Sequence, residues 1–131
     1  MAETPAVSAV LVDSDVLIEV LRQRDALIQS RWTVLADSGT PVFYSPITAA
    51  EIWRGVRAEE ENAVEMLFSV MECVPIDAGI GRKAGDYLRR YHLSHHLELA
   101  DALIAATAAL HHVPLWTRNR KHYPMRDVRL L

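Results

Sequence analysis

Apolar and polar positions along this chain switch repeatedly between two periods. Ala9-Val-Leu-Val-Asp13 is a short β-branched apolar run stopped by polar residues, which reads as a buried strand ending at Asp13. Val16, Ile18, Val20 and Leu21 then recur at helical spacing through Gln23, and a second helical stretch runs from Ala26 to Ala36, stopping at Asp37-Ser-Gly39. Val42–Ser45, between Pro41 and Pro46, is the next strand. Helices follow over Thr48–Val56 and Glu60–Met71, the latter with Val64, Leu67, Phe68 and Met71 on one side. Cys73–Ile76 reads as a third strand, and Ala78–Tyr91 as a helix weakened by three glycines. Leu97–Leu110 is the clearest helix: apolar almost all round, free of Gly and Pro, and so predicted to be buried. Pro114–Thr117 and Val128–Leu131 complete five predicted strands, with Met1 to about Ser8 as a flexible lead-in.

Strands alternating with helices predict an α/β fold. The expected architecture is three-layered, with a mainly parallel, short-stranded sheet flanked by helices. A length of 131 residues, without linker composition, repeats or low-complexity segments, fits one domain over residues 1–131. No apolar run approaches the roughly 18 residues of a membrane span, so no membrane role is expected. The N-terminus has no basic segment and carries Glu3, unlike a secretory signal. One cysteine, Cys73, cannot form a disulfide framework, and its apolar neighbours predict a buried thiol. These features point to the cytoplasm. The net charge of −3 gives no bulk argument for nucleic-acid binding. Its distribution is uneven, however: residues 1–65 hold 11 acids and 5 bases, residues 66–131 hold 6 acids and 9 bases, and five of those bases follow Leu115. A basic tail beside an acidic site can hold a phosphate backbone.

Asp101 is a carboxylate near the start of the most apolar helix, an expensive placement without compensation. Asp13 lies at a strand's carboxyl end, where ligands of open α/β sheets bind. Glu51 lies in the helix that follows the second strand, and Asn119 closely follows the fourth. Each has a simpler reading. Asp13 can cap the next helix, with Asp15 in its first turn favoured by the dipole. Thr48-Ala-Ala-Glu51 has the form of a capping box. Asp101 suits a helix N-terminus, and Asn119 suits a turn. Taken together, three acids facing one sheet edge repel: a like pair about 4 Å apart costs about 1 kcal/mol in bulk-water dielectric and about 4 at an effective dielectric of about 20. A hard divalent cation removes that cost, and oxygen-only ligands favour magnesium or manganese over zinc. His92, His95 and His96, read as lying in a loop, and His111-His112 match no zinc spacing.

The ordered segments DSDVLIEVL, TAAEIWRGV, LADALIAATAAL and LWTRNRKHY resemble the PIN-domain ribonucleases, and within them the VapC-type toxins of bacterial toxin–antitoxin pairs. The resemblance covers about Val10 to Leu131, and DALIAATA followed by TRNRKHY is its most specific part. It implies magnesium-dependent RNA cleavage, a homodimer, and a cognate antitoxin that blocks the site. It places Asp13, Glu51 and Asp101 as metal-binding catalytic acids. Asn119 stands at a fourth catalytic position that is often acidic in the family; an amide there can coordinate but adds no charge. Asp15 stands where relatives often have Asn or Ser; it adds charge to the site but is not counted among the metal ligands. Glu98, a turn before Asp101, is an accessory acid. Thr117 is expected to hold substrate or water, and Arg118, Arg120 and Lys121 the flanking RNA backbone. Two rival readings are a small HAD-like phosphatase, from the D-x-D of VLVDSDVL, and a non-catalytic interaction module in which the acids are caps.

Overall fold

The computed structural model describes residues 7–131; the first six residues of the predicted lead-in lie outside them. Four strands, β1 (Val10–Val12), β2 (Val42–Tyr44), β3 (Glu72–Cys73) and β4 (Leu115–Trp116), form a wholly parallel sheet of order β3-β2-β1-β4. Six helices connect them: α1 (Ser14–Arg22), α2 (Ala26–Asp37), α3 (Pro46–Arg54), α4 (Glu61–Ser69), α5 (Ala78–His95) and α6 (Leu99–Leu110).

Three residues suffice for β1 because both its faces are covered. Side chains alternate across a strand. Leu11 points into one core layer with α5 and α6, while Val10 and Val12 point into the other with α1 to α4. The register continues these rows sideways. Leu11 pairs with Phe43 and Leu115, Val10 with Val42, and Val12 with Trp116. Such two-faced burial is the setting in which parallel strands read as unbroken apolar runs.

The apolar girth of α6 has the predicted cause: Ala102, Ile104, Ala105, Ala106 and Ala108 are at most 1% exposed. Its alanines let α5 pack close against it, and this pair is the most extensive helix contact in the fold. Thr107, also buried, returns its hydroxyl to the Leu103 carbonyl at 2.8 Å. Gly39, at φ +70°, ends α2 in a left-handed conformation that costs glycine little.

Five expectations are corrected. The third strand is Glu72–Cys73 rather than Cys73–Ile76, and Cys73 is exposed rather than buried, because β3 is an edge strand. The fifth strand reduces to a single bridge, Leu115 to Leu130, since a turn at Arg126-Asp127 leaves too little extended chain to pair. His92 and His95 lie in the last turn of α5, with His96 the left-handed cap, rather than in a loop. The helix bearing Glu51 starts at Pro46. Among the described residues, no helix is long and apolar enough to cross a membrane.

Ile104 is 1% exposed at the centre of the α5–α6 layer. Ile104→Ala is expected to cost about 2–5 kcal/mol, lowering the urea midpoint of unfolding with the slope unchanged.

Candidate active site

The chain lays down β1, β2 and β3 to one side and then returns to place β4 on the other side of β1. This reversal opens a crevice at the carboxyl ends of β1 and β4, the place where open parallel sheets bind ligands. Asp13 follows β1 and Thr117 follows β4, and they meet there. The Thr117 hydroxyl donates to Asp13 Oδ2 at 2.9 Å. The Tyr123 hydroxyl donates to the same oxygen at 2.8 Å, and the Ser14 amide to Oδ1 at 2.8 Å. Asp13 is 6% exposed, and a buried carboxylate requires such donors. Burial, reinforced by the Asp13 charge, pushes the Tyr123 phenol above its usual range, so it remains a donor.

Asp13 does hold the N-cap position of α1, but its second oxygen is turned to Thr117 and Tyr123 instead of the helix. Oδ1 carries one hydrogen bond and retains a lone pair for a ligand.

Glu51 reaches the same place from α3. The capping box expected at Thr48 and Glu51 does not form. Ser45 caps α3, its hydroxyl accepting from the Ile47 amide at 3.1 Å, and Pro46 takes the first helical position, where a missing N–H is harmless. Glu51 is thereby released from cap duty and faces α1, where the Ser14 hydroxyl donates to its Oε1 at 3.2 Å. Asp101 arrives in the first turn of α6, with Oδ2 3.5 Å from His122 Nδ1. Glu98 stands at the N-cap of α6 without a side-chain capping bond.

The electrostatics register this convergence. Burial raises the Glu51 pKa, opposed by the Ser14 hydroxyl and reinforced by the charges of Asp13 and Asp101. Burial also raises the Asp101 pKa, with His122 opposing and Asp13 adding to the rise. Asp15 is pushed to about 6, first by burial and then by Asp13. Asp15 lies in the first turn of α1. The Arg118 amide donates to its Oδ2 at 3.0 Å, but its Oδ1 is buried without a hydrogen-bond partner.

The segment after β4 departs from expectation. The Arg118 guanidinium is drawn away to buried Glu19, Nη1 to Oε1 3.0 Å, so it ties the turn to α1. Arg24 binds the same oxygen at 2.6 Å, and these guanidiniums, Arg24 foremost, hold Glu19 below the usual carboxylate range. Asn119 precedes the 3-10 turn Arg120–His122; its amide N–H donates to Thr117 Oγ1 at 3.1 Å, while its exposed side chain makes no capping bond. Arg120 donates to the Leu131 carbonyl at 3.1 Å, and Lys121 is exposed. Sequence reasoning missed Tyr123, Ser14 and His122 as site residues. Tyr123 stood in a charged run, RNRKHY, with no periodicity to mark it as buried.

Apart from the His122 imidazole beside Asp101, the groups that converge are carboxylate and hydroxyl oxygens, which suit a hard divalent cation. The unpartnered, buried Asp15 oxygen fits the same ligand. Among the described residues, no three acid, histidine or cysteine side chains stand close enough together to hold a metal ion in this conformation.

A family model described as "PIN domain" matches residues 10–128. The chain is 41% identical over 118 residues to "Ribonuclease VapC10" of Mycobacterium tuberculosis, covering 88% of this chain and 86% of that one. Among solved structures it is similar to a toxin–antitoxin complex from Klebsiella pneumoniae, with 27% identity, TM-score 0.71, and 92% and 95% of the two chains covered. It also shares its fold with VapBC2 from Rickettsia felis bound to a promoter DNA fragment, at TM-score 0.77 and 19% identity, over 94% and 97% of the chains.

Between the reference value of 3.8 and about 6, the folded chain binds a proton at Asp15 that the unfolded chain has released. Stability therefore falls as pH rises through that window. In EDTA, the melting temperature of the wild type is expected to drop more steeply from pH 4 to 6 than that of Asp15→Asn; parallel profiles would refute the placement of Asp15.

Proposed function

The chain belongs to the PIN-domain family, and on that premise we propose that it is a metal-dependent endoribonuclease, the toxin of a toxin–antitoxin pair. It hydrolyses RNA phosphodiester bonds and is silenced by a cognate antitoxin. The observation that carries this reading is the meeting of acids from separate elements about Ser14, whose amide binds Asp13 at 2.8 Å and whose hydroxyl binds Glu51 at 3.2 Å, with Asp101 entering from the first turn of α6. The similarity to a named ribonuclease and to a solved toxin–antitoxin complex supports it from outside the chain. Family membership sets aside the phosphatase reading, and Glu51, which leaves the capping of α3 to Ser45 and is bound by Ser14 of another helix, counts against acids that serve only as caps.

Asp13, Glu51 and Asp101 are the residues that hold the cation, with magnesium as the physiological ion and manganese a substitute. When bound, the ion acidifies water and offsets charge on the phosphate oxygens. The protein supplies the rest. Thr117, Tyr123 and the Ser14 amide fix Asp13, so the ligand set does not have to be ordered for each turnover. The Ser14 hydroxyl orients Glu51. Held in this way, Glu51 accepts the proton of an attacking water. Asn119 adjoins the site at the fourth position and contributes a neutral oxygen. Arg120 and Lys121, on the turn beyond Thr117, hold the flanking RNA phosphates. Arg118 serves instead to lock that turn through Glu19. The protein acts in the cytoplasm as a homodimer.

The test is cleavage of a mixed RNA pool by purified protein in magnesium, manganese and EDTA. Discrete fragments are expected with either ion and none in EDTA. Asp101→Asn is expected to reduce cleavage by more than about 100-fold with an unchanged circular dichroism spectrum. Undiminished cleavage by that variant would overturn the assignment.

A further inference from the structure

We infer that Asp15 is a cation ligand of this site and supplies the fourth carboxylate that Asn119 lacks. The inference rests on the nuclease reading above and goes beyond it by adding a ligand from α1.

The two oxygens of Asp15 are treated differently. Oδ2 is held by the Arg118 amide at 3.0 Å, with the Thr117 hydroxyl 3.4 Å away. A hydroxyl has one proton to give, and Thr117 gives it to Asp13 Oδ2, the nearer oxygen at 2.9 Å. Oδ1 has no hydrogen-bond partner although it is shielded from solvent. A carboxylate oxygen buried without a donor, beside a second carboxylate, calls for positive charge. No side chain close by provides it in full, because the nearest guanidinium, that of Arg118, is engaged 3.0 Å from Glu19. A coordinated cation is the partner whose chemistry suits the remaining acceptor.

The position agrees. Glu51 is bound by the Ser14 hydroxyl from the α3 side, whereas Asp15 is bonded to the Thr117–Arg118 segment. Asp15 therefore lies on the β4 side of Asp13, beside the turn that carries Asn119. The fourth carboxylate is displaced from the end of β4 to the start of α1, and the Glu19–Arg118 pair keeps turn and helix together. Asp13 is the one acid that both sides share.

The test is manganese binding to the purified protein, counted by loss of the free-ion electron spin resonance signal, for the wild type, Asp15→Asn, Asn119→Ala and Asp13→Asn. Melting in EDTA serves as the control for folding. Asp15→Asn is expected to weaken at least one bound ion by about tenfold or more and to melt no lower than the wild type in EDTA, since the oxygen it replaces has no donor to lose. Asn119→Ala is expected to change binding by less than Asp15→Asn does. Wild-type manganese affinity in Asp15→Asn, or a marked loss of melting temperature in EDTA, overturns this inference while the nuclease reading stands. A wild type that binds no manganese, or an Asp13→Asn variant that binds it undiminished, overturns both.

Discussion

The structure turns on keeping one carboxylate, Asp13, buried at the reversal point of the sheet. Nearly every peculiarity of the site follows from that constraint. The Thr117 and Tyr123 hydroxyls both donate to one of its oxygens and the Ser14 amide to the other, so strand β4 and the segment beyond it are tethered to β1 by polar bonds as well as by pairing. A buried phenol without a polar partner is itself costly. Asp13 thus satisfies Tyr123 as much as Tyr123 satisfies Asp13. Removing Asp13 strands the Tyr123 hydroxyl, and removing Tyr123 takes one of three donors from Asp13, which makes the pair a structural commitment before it is a chemical one.

Around that anchor the other acids are poised rather than neutralised. Glu51 has one hydroxyl donor, Asp101 one imidazole at 3.5 Å, and Asp15 one amide on one oxygen. Burial and mutual repulsion raise all three pKa values. Such raised values are costly to folding and useful to function, because the same stress makes cation binding favourable. The contrast with Glu19 is instructive: it is more buried than these three, yet two guanidiniums bind it and hold its pKa down, and it serves as a brace instead of a ligand.

Much of this was legible in the chain. The helices came within a few residues of their observed limits because periodicity, caps and breakers are local. The buried α6 was readable from its composition, and Asp13, Glu51 and Asp101 from their places relative to strand ends. The misreadings were those in which a local pattern had two solutions. Thr48-Ala-Ala-Glu51 fits a capping box, but Ser45-Pro46 caps three residues earlier, and nothing local weighs one against the other. Cys73 sits among apolar residues, yet β3 is an edge, and edge position is set by strand order. Val128–Leu131 has strand composition but pairs at a single residue.

The amino-acid sequence by itself determined the α/β class, the parallel character of the sheet, the family, and which acids stand at strand and helix ends, since all of these can be read from local patterns and their order along the chain. Only the tertiary structure decided which side chains meet. That Tyr123 closes on Asp13 across 110 positions, that Arg118 braces Glu19 instead of standing free for a phosphate, and that Asp15 keeps one oxygen buried without a partner are outcomes of strand order and helix packing. Burial and unpaired charge are properties of the assembled environment, so no local pattern carries them.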